Sequence, residues 1–259
     1  MFLAIDAGNS NVVFSLYDAE RTWSELGRVD TSTVSEEAAL SRSMASFLNT
    51  RGVHPNAIKK VGFSSVVPRI NSTVHGSCEA LALAGKKLTQ LTPELFERLP
   101  IKIPRPQQIG ADLVADGFAA YRLNPNSHSL AVDFGTALTF TLIDGKAKEI
   151  VGVNIMPGIK TALKALFTNT AQLPEISLKY PEIPIGNTTE SAIRAGILYG
   201  YNGAVKEMIQ MLAAQVGGSL KVYATGGMVS ILTDLHPYFD VINPFLTVEG
   251  VRLIVEEVG

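Results

Sequence analysis

The chain has 259 residues, of which 46% are hydrophobic and 18% charged, with 22 basic against 24 acidic side chains and a formal net charge of −2. That much apolar material excludes a disordered or fibrous chain, and the near-neutral balance leaves no global basic field to hold nucleic acid or an anionic membrane. A lone cysteine, Cys78, excludes a disulfide framework and any zinc site built on several thiolates.

The first third alternates short β-rich runs with turn chemistry. Phe2–Asp6, Val12–Tyr17 and Trp23–Val29 read as three consecutive strands joined by tight turns. A helix opens at Ser35-Glu36-Glu37, with Ala39, Leu40, Met44, Phe47 and Leu48 near helical spacing. Val61–Val67 is a buried-strand pattern closed by Pro68. A helix over Ser72–Leu83, a short strand at Lys87–Leu91 and a stiff loop at Pro104-Arg105-Pro106 follow, and Leu113–Tyr121 is strongly helical. The same order then recurs: strands at Ser129–Asp133, Leu138–Ile143 and Ile150–Ile155, with a hairpin signal at Asp144-Gly145. Helices follow over Gly158–Thr168 and Thr188–Ala214, then a strand at Lys221–Ala224 and a further helix from Gly226-Gly227. The pattern closes on a strand at Val241-Ile242 and a helix over Val248–Glu257. No apolar stretch reaches the ~18 residues that span a bilayer. The first residues read as a strand running into a turn, so a soluble protein of a reducing compartment, the cytoplasm, is expected.

The recurrence carries the most information. Asp6-Ala7-Gly8-Asn9-Ser10 and Asp133-Phe134-Gly135-Thr136-Ala137 share Asp-x-Gly-polar at the end of a first strand and before a hairpin. Two copies of one unit account for the length, with the division expected at 125/126, where Asn124, Pro125 and Asn126 cluster. A glycine turn between strands offers backbone N–H groups to an anion. Asn9, Ser10 and Asn11 add side-chain donors, as does Thr136. An aspartate beside a phosphate holds it through a cation. Two such turns facing each other would hold a polyphosphate and its metal; the plainer alternative is two tight turns with Asp capping the backbone. Thr225-Gly226-Gly227 between a strand and a helix suits a nucleotide, or is simply a strand-to-helix turn. Asp112, at the start of a helix after Gly110-Ala111, is either an N-cap or a general base. Neither a Walker-type phosphate loop, nor a dinucleotide Gly-x-Gly-x-x-Gly, nor a nucleophile elbow occurs.

Those motifs, with Pro157-Gly158, Gly186-Asn187-Thr188 and Pro244–Gly250, stand in the order seen in type III pantothenate kinases, and the resemblance runs from residue 2 to about 254. It implies an α/β fold of two tandem ribonuclease-H-like domains of the actin-like ATPase type, each with a mixed five-stranded sheet flanked by helices. The implied reaction is ATP-dependent phosphorylation of pantothenate, the first step of coenzyme A synthesis, by a homodimer. By match to the family, Asp6, Ala7, Gly8, Asn9, Ser10, Asn11, Val12 and Val13 would cradle the ATP phosphates, with Asp6 near Mg²⁺. Thr136, Thr225, Gly226 and Gly227 would also bind ATP. Asp112 would be the base and Asp133 would hold the monovalent cation, K⁺ or NH₄⁺. Ile103, Gly110, Ala111, Asp112 and Leu113 would line the pantothenate site, which Thr188 would reach from the partner subunit. Ser10 replaces the family's usual Thr and keeps the hydroxyl. Two acceptor positions depart from the pattern: Leu113 replaces an Arg that meets the pantothenate carboxylate, and Ile103 replaces a Tyr. Arg105, in the neighbouring loop, is either a substitute cation or a solvated surface residue. A kinase of the same fold for another hydroxyl acceptor, and a non-catalytic nucleotide-binding relative, remain as alternatives.

Overall fold

The computed structural model describes residues 1–81, 88–168, 176, 178–181 and 183–258. It divides into two compact units, one made of Met1–Ala119 with the segment from Phe245 onward, the other of Ala120–Pro244.

In the first unit β1 (Phe2–Ala7), β2 (Asn11–Tyr17) and β3 (Trp23–Asp30) form an antiparallel meander. Helix α1 (Glu37–Thr50) crosses to β4 (Lys60–Ser65), which pairs parallel with β1. Helix α2 (Asn71–Ala80) leads toward β5 (Leu88–Gln90), parallel to β4; Lys87 and the end of the expected helix at Ala82 and Leu83 lie outside the described residues. A short helix α3 (Pro93–Phe96) and α4 (Ala111–Leu123) follow, and the division between units falls inside α4. The strand order is β3-β2-β1-β4-β5.

The period-2 alternation of β1 and β2 sends Leu3, Ile5, Ala7, Val12, Phe14 and Leu16 to one face, where Leu40, Met44 and Leu48 of α1 cover them at helical spacing. The opposite face of the central strands carries Ala4, Asp6, Gly62 and Ser64.

The second unit repeats the design. β6 (His128–Phe134), β7 (Ala137–Asp144) and β8 (Glu149–Pro157) form the meander, followed by α5 (Ile159–Thr168) and α6 (Thr189–Val216). β9 (Leu220–Thr225) pairs parallel with β6, and β10 (Val241–Ile242) with β9, giving the order β10-β9-β6-β7-β8. Read from its other edge this is the order of the first sheet, and each meander carries a register shift between its second and third strands.

Two expectations change. No α-helix follows Gly226-Gly227. The chain there makes tight turns closed by i→i+3 bonds, Ile231 to Met228 and Leu232 to Val229, and then a 3-10 helix over Thr233–Tyr238. Pro237, inside that short segment, has no N–H to donate to a longer α-helix. The last helix, α7 (Leu246–Val258), packs on the first sheet although the expected division at 125/126 leaves it with the second half. Glycine makes this packing possible. A Cβ at Gly62 would lie 2.6 Å from Val251 and 2.7 Å from the Phe2 ring, and one at Gly250 would lie 2.0 Å from the Ala115 carbonyl. Trp23 fastens the helix further, donating to Glu249 (2.8 Å) and stacking on Phe245.

Candidate active site

Asp6 is the penultimate residue of the central strand β1. Its register partners are Val13 on β2 and Ser64 on β4, so all three side chains share the face away from α1. α7 holds α4 against that same unit through Gly250, and the first turn of α4 brings Asp112 within electrostatic range of Asp6. Burial first, and then the Asp112 charge, push the Asp6 carboxyl up from 3.8 to about 7, while the Ser64 hydroxyl beside it pulls the other way.

Asp112 occupies the second position of α4; the carbonyl of Gly110, two residues earlier, accepts the Val114 N–H, so Gly110 takes the cap position. The Asp112 Oδ1 accepts the Leu113 N–H at 2.8 Å. Burial raises this carboxyl, and the Leu113 and Asp112 backbone N–H groups partly offset the rise. A Cβ at Gly110 would stand 2.4 Å from Asp112 Oδ1, so glycine there clears the space the carboxylate uses. Leu113 is 7% exposed and offers the site its N–H while its side chain is buried. Ile103 lines a pocket of about 370 Å³ with Phe96, Leu99, Ile101, Lys102 and Pro106 among others. Arg105, close by, is exposed and has a left-handed φ of 52°.

The turn after β1 is fixed from outside. The Gly8 N–H donates to the Asn11 carbonyl (3.0 Å), leaving Asn9 and Ser10 exposed at the tip. Thr31 clamps this turn: its hydroxyl donates to the Gly8 carbonyl (2.7 Å) and its N–H to the Ser10 carbonyl (3.0 Å). Arg69 in turn donates to the Thr31 carbonyl at 3.1 Å. Sequence reading identified neither residue, because both bonds join positions more than twenty apart with no pattern to mark them. Asp30, capping the 3-10 turn Thr31–Thr33, is the only local signal.

In the second unit Asp133 takes the position of Asp6, on β6 between Thr139 on β7 and Thr225 on β9. Gly226 has φ 92°, and a Cβ there would lie 2.3 Å from Asp133 Oδ1 and 2.6 Å from Phe134 backbone atoms. Only glycine fits a left-handed residue laid against a carboxylate. Gly227 faces open space. The Gly135–Thr136 turn closes by Gly135 donating to Ala137 (3.0 Å). The Thr136 carbonyl accepts from the Gly158 N–H (3.0 Å) and the Thr161 hydroxyl (2.7 Å). A Cβ at Gly158 would fall 2.3 Å from the Gly135 carbonyl, which accounts for the Pro157-Gly158 pair. Thr139 is 7% exposed and its Oγ1 has no hydrogen-bond partner among the described residues. Thr188 is the exposed N-cap of α6, in a capping box with Ser191.

The first unit therefore brings together Asp6, the Gly8–Ser10 turn, Gly110 and Asp112. The second brings together Asp133, the Gly135–Thr136 turn, Thr225 and Gly226. No group of three or more His, Cys, Asp or Glu able to hold a metal occurs among the described residues.

Comparison with known proteins gives the following. The family model for type III pantothenate kinase matches residues 2–211. A type III pantothenate kinase of Geobacillus sp. (strain WCH70) is 34% identical, covering 99% of this chain and 98% of that protein. One from Myxococcus xanthus is 33% identical over 98% and 97%. Among solved structures, a putative Baf family transcriptional activator from Campylobacter jejuni superposes with TM-score 0.58 at 20% identity, covering 98% of each chain. The activator of 2-hydroxyisocaproyl-CoA dehydratase from Clostridium difficile, solved with bound ADPNP, gives 0.50 at 8% identity, covering 99% of this chain and 95% of that one. Both likenesses concern the fold, the two-domain actin-like ATPase type.

Proposed function

The chain belongs to the type III pantothenate kinase family, and from that premise we infer that it phosphorylates pantothenate with ATP to give 4′-phosphopantothenate, the entry to coenzyme A synthesis. The observation that carries the reading is the pairing of Asp6, at the end of a central strand running into a glycine turn, with Asp112 in the first turn of α4.

Phosphoryl transfer asks of a protein mainly positioning and charge neutralisation. Asp112 is the general base in this reading. Its carboxyl, raised by burial, accepts the proton of the pantothenate hydroxyl, and the Leu113 N–H holds Oδ1 in place. The turn Asp6–Val13 receives the phosphates, with Thr31 keeping it rigid. Mg²⁺ bound with the nucleotide would supply neutralisation of phosphate charge, with Asp6 facing it. Asp6 fits its neighbourhood, because a carboxyl pushed to about 7 gains most from a nearby cation. Thr136, Thr225, Gly226 and Gly227 belong to the nucleotide site, and Asp133 to the monovalent cation. That assignment fits an orphaned buried hydroxyl beside the carboxylate, Thr139 Oγ1. Gly110 and Ala111 shape the acceptor site beside the base, with Ile103, and Leu113 contributes through its backbone.

A homodimer and a cytoplasmic location belong to the same reading. The dimer is supported by apolar side chains left in solvent on the second unit, Ile155 at 66%, Ile185 at 76% and Met211 at 60% exposure. Gly196, Gly200 and Gly203 of α6 also have open space where a Cβ would be. Thr188, exposed at the head of α6, is then available to a partner's acceptor site.

The test is direct. Protein incubated with ATP, Mg²⁺, K⁺ and pantothenate forms 4′-phosphopantothenate, and Asp112→Asn lowers the rate by about 10²–10⁴-fold, the usual contribution of a general base. ATP turnover only with another hydroxyl compound, or nucleotide binding with no turnover, overturns the assignment.

A further inference from the structure

The two halves of the molecule use the same strand scheme around their aspartates and differ at one neighbour. Asp6 stands between Val13 and Ser64, and Asp133 between Thr139 and Thr225. On the parallel side both copies present a hydroxyl. On the antiparallel side the first copy has a methyl group where the second has the Thr139 hydroxyl. Residues directly opposed on adjacent strands share a face, with Cβ atoms about 4.5–5.5 Å apart, so the Thr139 side chain stands beside the Asp133 carboxylate.

That hydroxyl is expensive where it is. Thr139 is 7% exposed, and Oγ1 has no hydrogen-bond partner among the described residues. An unsatisfied buried hydroxyl costs about 1–3 kcal/mol, and Val, which fills the matching place at residue 13, would avoid the cost at the same volume. The surroundings are otherwise cleared of bulk: Gly226 lies against Asp133 Oδ1, and the Cβ position of Gly135 is 3.3 Å from Oδ2. One carboxylate with neutral oxygens beside it suits a singly charged hard cation, which takes oxygen ligands. With no group of three or more His, Cys, Asp or Glu there among the described residues, it does not suit a transition metal.

We propose that Thr139 Oγ1 is a ligand of the monovalent cation at Asp133, and that it is what fits the second aspartate to a monovalent cation, whereas the first, facing Val13, lacks that oxygen and meets only the nucleotide's Mg²⁺. The proposal rests on the assignment of the cation to Asp133.

The experiment follows thermal unfolding and turnover of the whole chain as KCl replaces choline chloride at constant ionic strength. Thr139→Val removes the hydroxyl, and Thr139→Ser keeps it. Thr141→Val is the control. Thr141 lies on the same face, is 1% exposed with an unpartnered hydroxyl, and is opposed to Ala131 in place of a carboxylate. In choline, Thr139→Val melts no lower than the wild type. It needs at least about tenfold more K⁺ for half its thermal shift and half its activation, a loss of about 1.4 kcal/mol, while kcat at saturating K⁺ stays within about twofold. Thr139→Ser and Thr141→Val respond to K⁺ as the wild type does. A Thr139→Val protein with wild-type K⁺ dependence overturns the proposal. If Asp133→Asn then abolishes the K⁺ response, the Asp133 assignment stands without Thr139; if Asp133→Asn also leaves it unchanged, that assignment falls with it.

Discussion

Asp6→Asn exchanges a carboxylate for an amide of the same shape on a strand whose partners stay in place. The folded chain holds the Asp6 proton to about pH 7, against 3.8 for an ordinary aspartate. A carboxyl raised in the folded state favours folding below its unfolded value. Its contribution falls as pH climbs from about 4 to 7, and the full penalty applies above that. The gap of about 3 units at about 1.36 kcal/mol each sets a ceiling near 4 kcal/mol. Asp6 keeps partial contact with solvent, so water and salt screen a share, and about 2 kcal/mol is expected at pH 8. Burial is the larger cause and the Asp112 charge the second, so the change tracks ionisation of the buried Asp6 carboxyl. The assay is thermal or urea unfolding without nucleotide or divalent cation at pH 5 and pH 8. The variant should be more stable than the wild type at pH 8, by roughly 4–8 °C in Tm, with the gap closing toward pH 5, and it should be inactive. A variant less stable than the wild type at pH 8, or a gap independent of pH, refutes the account of the pair.

Three further outcomes follow. Gly226→Ala forces a side chain at φ 92° into Asp133 and the Phe134 backbone; a loss of about 3 kcal/mol or more in unfolding free energy is expected, and a loss under 1 would contradict the packing. Thr31→Val removes the hydroxyl from the Gly8 carbonyl, costing about 1 kcal/mol in stability and raising KM for ATP several-fold with KM for pantothenate unchanged; equal changes in both would place Thr31 outside the nucleotide turn. Leu113→Arg puts a guanidinium into a position 7% exposed. It should lower stability by about 3 kcal/mol or more, measured by urea unfolding, and should not improve the use of pantothenate.

Much of the scheme was legible because it is written twice. The Asp-x-Gly hairpins recur at the same point of two strand series, and turn chemistry with period-2 alternation suffices to place β1 to β3 and β6 to β8. The matching strand positions of Asp6 and Asp133 are legible for the same reason. What escaped depends on contacts between distant positions. The orphaned Thr139 hydroxyl follows from strand register, and the Thr31 clamp on Gly8 from a 3-10 turn 23 positions away. Gly62 and Gly250 read as ordinary glycines until α7 is seen lying on the first sheet. The helix expected after Gly226-Gly227 is replaced by tight i→i+3 turns and a 3-10 helix in which Pro237 has no N–H to donate. Asp112 was legible as a helix-start acid, but its place at the second position, with Gly110 as cap, turns on one residue of boundary, which propensity does not resolve.

The packing of α7 has a consequence for biogenesis. On the ribosome, residues 1–119 emerge early but lack the slab that covers Gly62 and braces Ala115 until Leu246–Val258 is translated. The intervening stretch, by contrast, is whole before then and is free to fold as a nested insert. Premature termination near codon 245 would thus spare the later half and cripple the earlier one.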